Sequence, residues 1–170
     1  MLNQDLRLRA RLAIKDIAMK RHTDPNLPVL LLGPYVPSEL CLGVLEELKL
    51  QLIYFGITPF IEKDIDLEPA ALHQKLSVLS SLCVFAVFII PQLATSSGWK
   101  TEIGQLNHMY NRVMVFYEDR ISFSTVAWDI VTKTEITAGN FVNSADKVGT
   151  CKYIASIIAA RILDFQNEHI

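Results

Sequence analysis

Between Ser77 and Trp99 the chain carries no charged side chain, and this stretch limits the fold more than any other feature. A hydropathy window of about 19 residues flags such a stretch as a membrane span. Its composition excludes insertion. Ser77, Ser80 and Ser81 stud the first part, and Pro91-Gln92 cuts the apolar segment, whose continuous core is Leu82–Ile90. That core is far shorter than the roughly 20 residues a spanning helix needs. Val84, Phe85, Val87, Phe88, Ile89 and Ile90 are β-branched or aromatic, which predicts a central strand buried on both faces.

The rest of the chain arranges itself around that strand. Leu2, Leu6, Ala10, Ala13, Ile14, Ile17 and Ala18 recur at helical spacing, predicting a helix from Leu2 to about Arg21. Pro25 and Pro28 break the helical pattern, and Val29–Leu32 is a short apolar strand that ends at Gly33-Pro34. Ser38 suits the N-cap of a helix running to Tyr54, with Gly56 closing it. Ile57–Ile61 predicts a second strand, followed by an acidic loop over 62–69 and a helix from about Ala70 to Leu79. After the central strand come a helix over Trp99–Tyr110 and a strand over Val113–Tyr117. A helix over Ser124–Val131 and a fifth strand over Gly139–Val142 are the expectations for the next segment. A last helix capped by Asp146 runs to about Phe165.

Strands that alternate with helices predict an α/β fold with a mostly parallel sheet covered on both faces. The expectation is a single domain over 1–170. It is a flavodoxin-like three-layer sandwich with five strands in the order 2-1-3-4-5 and an extra N-terminal helix. In that order the ligand crevice lies beyond the carboxyl ends of the first and third strands, where strand order reverses. The loops that matter are then Gly33–Ser38 and Pro91–Trp99.

Composition bounds the function. The chain has 170 residues, 51% of them hydrophobic, and a formal net charge of −2. This is enough chain to bury a core without metal or disulfide staples, and too apolar for disorder. The absence of a general basic field argues against a nucleic-acid partner. Residues 1–22 do carry six basic side chains against Asp5 and Asp16, which reads as a solvated helix face. Cys41, Cys83 and Cys151 are far apart and odd in number, so neither a zinc site nor a disulfide framework is expected. Free cysteines in apolar surroundings, with no signal-peptide pattern at the N-terminus, predict a cytoplasmic protein with no membrane partner.

The candidate chemistry sits in the two crevice loops. Gly33 allows a ligand close to the backbone, and Tyr35 offers a flat ring and a hydroxyl. Neither the three-glycine dinucleotide fingerprint nor the phosphate-loop motif is present. The second loop, Ser96-Ser97-Gly98-Trp99-Lys100-Thr101-Glu102-Ile103-Gly104, leads from the central strand into a helix with Glu102 near its start. A carboxylate there can favour the positive end of the helix dipole, or it can act at a sugar carbon. His22, His73, His108 and His169 define no metal spacing, and no metal is expected. Trp128-Asp129 reads as core packing before it reads as a stacking platform. No Ser nucleophile elbow or Cys-His arrangement appears.

Gly33-Pro34-Tyr35 after the first strand, followed by Ser97-Gly98-x-x-x-Glu102-Ile103-Gly104 after the central one, resembles the nucleoside 2-deoxyribosyltransferase-like superfamily. The similarity spans about residues 28–117 and extends more distantly to TIR-type NAD-cleaving domains. It implies that Glu102 is a catalytic nucleophile at the anomeric carbon and that Tyr35 is catalytic by orienting it or the sugar. It further implies that Gly33, Pro34, Ser97 and Gly98 line the ligand and that Asp64 or Asp66 recognises the base. The implied activity is cleavage or transfer, hydrolase or transferase, at the N-glycosidic bond of a nucleoside, nucleotide or NAD-like molecule, with no cofactor. The chain departs from the family at Ile90-Pro91-Gln92, where the family carries an aspartate. The alternative is therefore a non-catalytic nucleotide-sensing or protein-interaction module on the same fold. The resemblance also implies a homodimer or larger homo-oligomer. The apolar helices at residues 2–18 and 148–162 support that expectation, since part of one of them is surplus to a monomer core.

Overall fold

The computed structural model describes residues 2–33, 38–90, 112–118, 132–136 and 144–168. Helix α1 (Leu2–Arg21) precedes β1 (Pro28–Leu32), α2 (Ser38–Tyr54), β2 (Thr58–Phe60), α3 (Leu72–Leu82), β3 (Phe85–Ile90), β4 (Val113–Glu118), β5 (Thr132–Ile136) and α4 (Ser144–Glu168). The strands pair in parallel in the order β2-β1-β3-β4, and β5 adds to the outer edge of β4. The α/β class and the parallel sheet agree with the sequence expectation. No described helix is long and apolar enough to cross a membrane.

Successive strand residues point to opposite faces, and the chain uses both for packing. Leu30, Leu32, Ala86, Phe88, Val113 and Val115 join a core with α1 and α3. Val29, Leu31, Val87, Ile89, Met114 and Phe116 join a second core with α2 and α4. Each face is thus apolar on every described central strand, which is why these strands read as continuous hydrophobic segments.

Helix α1 belongs to the first of these cores. Leu6, Ala10, Ile14 and Ala18, one helical stripe, are all buried, and α1 packs on α3 and against β2. On α4, Cys151, Ile154, Ala155, Ile158 and Ile162 are buried against the opposite face. Most of both expected stripes is covered within the chain, while Val148 of α4 is exposed. What α1 leaves exposed is a different row, Leu8, Leu12 and Met19.

Helices α1 and α2 end in the same way. Gly56, at φ 77°, donates to Ile53 O while Ile57 N donates to Leu52 O, a Schellman closure that glycine makes without steric cost. At the end of α1 the left-handed residue is His22, at φ 56°, with Thr23 N donating to Ala18 O. Sequence patterns favour Gly at such a position, so this closure was not legible beforehand.

Several boundaries differ from expectation. Leu82 closes α3 rather than opening β3: Cys83 N bonds Ser80 O, and strand pairing starts only where Val84 N donates to Pro28 O. An apolar stretch fits a buried helix end as well as a buried strand, so its composition could not divide the two. Helix α3 starts at Leu72, with Gln74 Oε1 accepting from Ala71 N at 3.1 Å. Helix α4 starts at Ser144, before the expected cap Asp146. The strand beside β4 is Thr132–Ile136 rather than Gly139–Val142, which lie outside the described residues. Thr-Lys-Thr-Glu-Ile alternates β-branched with charged residues, a weak signal suited to an edge. The helices expected over 99–110 and 124–131 also lie outside the described residues.

Candidate site at the carboxyl edge of the sheet

The chain leaves β1 for β2 on one side and returns to β3 on the other, so strand order reverses between β1 and β3. Ligands of open parallel sheets bind beyond the carboxyl ends of such a pair. Gly33 sits at that point and is buried. A Cβ on it would lie 3.1 Å from Ile89 O and 3.8 Å from Leu45 Cδ1. Any larger residue there would push the end of β1 and the end of β3 apart by a few tenths of an ångström. Tyr35, Pro34, Ser97, Gly98 and Glu102 lie outside the described residues.

Asp64 and Asp66 follow β2 at the same edge of the sheet, and both carboxylates have partners from the chain itself. Asp64 Oδ2 accepts from Lys49 Nζ at 3.0 Å and from Ile61 N at 2.9 Å. Lys49 is buried on α2 and also meets Glu46 at 2.9 Å. Asp66 Oδ1 accepts from Glu68 N at 3.0 Å, an Asx-type turn on an exposed loop. Asp64 therefore fastens the loop to α2, and Asp66 shapes its return.

Two further cations hold this loop. Arg9 of α1 donates to the carbonyls of Asp66 and Glu68, each at 3.1 Å. Lys75 of α3, itself buried, reaches Glu68 at 2.5 Å and Glu62 at 3.3 Å. Its hydrogen bond to Glu68 comes first among the causes that hold its ammonium above the ordinary lysine range. Burial opposes this, and the hydrogen bond and charge of Glu62 add to it. Helices α1, α2 and α3 thus each give one basic side chain to the segment 62–68. Sequence reading missed this clamp. Its signal was a lysine beside each apolar stripe, Lys49 next to Leu48 and Lys75 next to Leu76, with an acidic loop between the two helices.

Compared with known proteins, the chain matches no family model and no curated protein. What it can do chemically therefore rests on the site itself.

The described cysteines carry no reactivity. Cys83 is buried, and loss of solvent pushes its thiol strongly up, only partly offset by Arg112. Burial pushes Cys151 up to about 12, with the charge of Glu47 adding to it. A thiol so raised stays protonated at neutral pH and is a poor nucleophile. Among the described residues no three His, Cys, Asp or Glu side chains are grouped as a metal ion needs.

Proposed function

We propose that the crevice beyond β1 and β3 takes a nucleoside, nucleotide or NAD-like molecule and cleaves or transfers at its N-glycosidic bond. The observation that supports this reading is the reversal of strand order at Gly33, because the two loops that leave that point carry Gly33-Pro34-Tyr35 and Ser97-Gly98-x-x-x-Glu102. Classification as a flavodoxin-like three-layer sandwich belongs to the same proposal. In it, the Glu102 carboxylate attacks the anomeric carbon, the carbon–nitrogen bond breaks with its electron pair going to the base, and the base takes a proton from solvent water. Water or a second base then takes the glycosyl group from Glu102. Tyr35 orients the sugar, while Gly33 and Gly98 let it approach the backbone. The chemistry requires neither metal nor cofactor.

A second reading, a non-catalytic nucleotide-sensing or protein-interaction module, is favoured by one observation. The carboxylates of Asp64 and Asp66 are engaged by Lys49 and by the loop's own amides. Each carboxylate thus already serves the loop through one of its two oxygens.

Incubation with a panel of nucleosides, nucleotides and NAD, read by chromatography for released base, separates the two. The first reading expects release from at least one compound and its loss in Glu102→Gln at unchanged thermal stability. An intact nucleotide that raises the melting temperature and is recovered unchanged selects the second reading. Assembly as a homodimer or larger oligomer is part of the proposal, through the exposed row Leu8, Leu12 and Met19 of α1. Light scattering at tens of micromolar that finds a monomer overturns that part.

A further inference from the structure

At the opposite edge of the sheet, where the strands begin, lies a cavity of about 360 Å³. This is within the size range of small-ligand pockets. Its walls come from segments distant in the chain: α1, the turn before β1, the α3–β3 junction, the residue before β4 and the end of α4. Arg11, Lys15 and Arg112 line it, and among the described residues no carboxylate does. Arg11 and Lys15 make no ion pair among the described residues. Arg112 is half-buried and donates one hydrogen bond to Cys83 O at 3.1 Å. Guanidinium carries five N–H donors, so this bond fixes the group and leaves others for a ligand.

Cations that share a cavity wall with no carboxylate among its described residues favour an anion there. Lys49 and Lys75, both buried, are by contrast each met by two carboxylates. Most of the remaining wall is apolar, with Ile14, Pro25, Pro28, Leu82 and the Phe165 ring, and Asn26 adds an amide. Three positive groups match a dianion better than a single carboxylate, and a phosphate monoester carries about −1.5 to −2 at neutral pH. Arginine adds the fork geometry that suits phosphate oxygens.

We propose that this cavity binds a small phosphate monoester. Its phosphate meets Arg11, Lys15 and Arg112, and its apolar body lies against Phe165 and the prolines. The site is separate from the crevice beyond β1 and β3, since the lining residues near β1, β3 and β4 either precede their strand or, as Pro28 does, open it.

Phenyl phosphate is the probe, titrated into the full chain at low salt by calorimetry, with amide shifts followed at Cys83 and Val84. The expected result is saturable binding at one site, with inorganic phosphate and benzoate each weaker by about tenfold or more. The double variant Arg11→Gln/Lys15→Gln removes two exposed charges and is expected to weaken phenyl phosphate by about tenfold or more. Lys20→Gln/Lys152→Gln removes two exposed charges elsewhere and is expected to leave affinity within about twofold at matched salt. Three results overturn the proposal. They are no saturation at about 10 mM probe, equal weakening by both double variants, or shifts that leave Cys83 and Val84 unmoved. Inorganic phosphate binding as tightly as phenyl phosphate overturns the assignment of an apolar body.

Discussion

Lys49 and Asp64 meet at 3.0 Å across the gap between α2 and the loop after β2, with the lysine side chain only 8% exposed. The pair converts an acidic loop residue into a structural fastener. Removing Asp64 strands a buried ammonium on Glu46 alone and leaves Ile61 N without its acceptor. Loss of one partner of a largely buried pair is costly because the other charge stays behind. Asp64→Ala is expected to lower unfolding stability by about 1–3 kcal/mol. Asp64→Asn, which still accepts from Ile61 N, is expected to lose less. Urea denaturation of both variants checks the order; equal stability of all three proteins contradicts it.

Gly33 is fixed by a backbone neighbour, not by a movable side chain. Because Ile89 O would stand 3.1 Å from an added Cβ, Gly33→Ala forces the ends of β1 and β3 apart by a few tenths of an ångström. Overpacking of this kind costs about 1–3 kcal/mol. The variant is expected to show that loss in urea denaturation. Any ligand of the crevice is expected to bind it more weakly, since the strand ends that frame the crevice have moved. A variant as stable as the parent shows that the strands yield freely there.

Ile14 tests the place of α1. It is buried in the core shared with α3 and the sheet, and its side chain can be truncated without touching the Arg9 contacts to the loop. Ile14→Ala is expected to cost about 2–4 kcal/mol, the range for a large-to-small change in a packed core. Leu12→Ala, on the exposed row of the same helix, is expected to cost under about 0.5 kcal/mol. Thermal or urea unfolding distinguishes them. Equal effects imply that α1 does not pack on the sheet in solution.

Lys75 gives the fold an alkaline limit. Glu68 and Glu62 hold its ammonium above the ordinary value of 10.5 against the opposing effect of burial. A group whose pKa is raised by folding stabilises fully below its unfolded value, and that contribution disappears as pH climbs through the folded one. The parent protein is therefore expected to lose stability above pH 10.5 more steeply than Lys75→Met, which has no proton to release there. Urea midpoints taken from about pH 9 to pH 11.5 provide the measurement. Parallel curves show that the Lys75 cluster contributes nothing to the alkaline transition.

Local chemistry wrote most of the element map into the sequence. The stripe through Val44, Leu45, Leu48 and Leu52 and the closing Gly56 mark α2, and the β-branched, aromatic composition of 85–90 marks the central strand. These signals are legible because helix and strand periodicities and glycine's left-handed freedom act over a few neighbouring residues. The division at Leu82–Cys83 was not legible, because burial favours apolar residues in both element types. The left-handed His22 was equally hidden, since what holds it is the closure of α1 onto Ala18 and Met19 and not a preference of histidine.

For the site, the sequence by itself determined which residues follow the carboxyl ends of the strands. Gly33 leaves β1, and Asp64 and Asp66 follow β2. Only the tertiary structure decided what those residues do to one another. Arg9 reaches the Glu68 carbonyl across 59 positions and Lys49 reaches the Asp64 carboxylate across 15, so a loop that looked free in the sequence is fastened in the fold. Gathering Arg11 and Arg112 around one cavity is decided in the same way. Charge pairing depends on distance and burial in space, and a linear sequence carries neither until the sheet has brought its helices together.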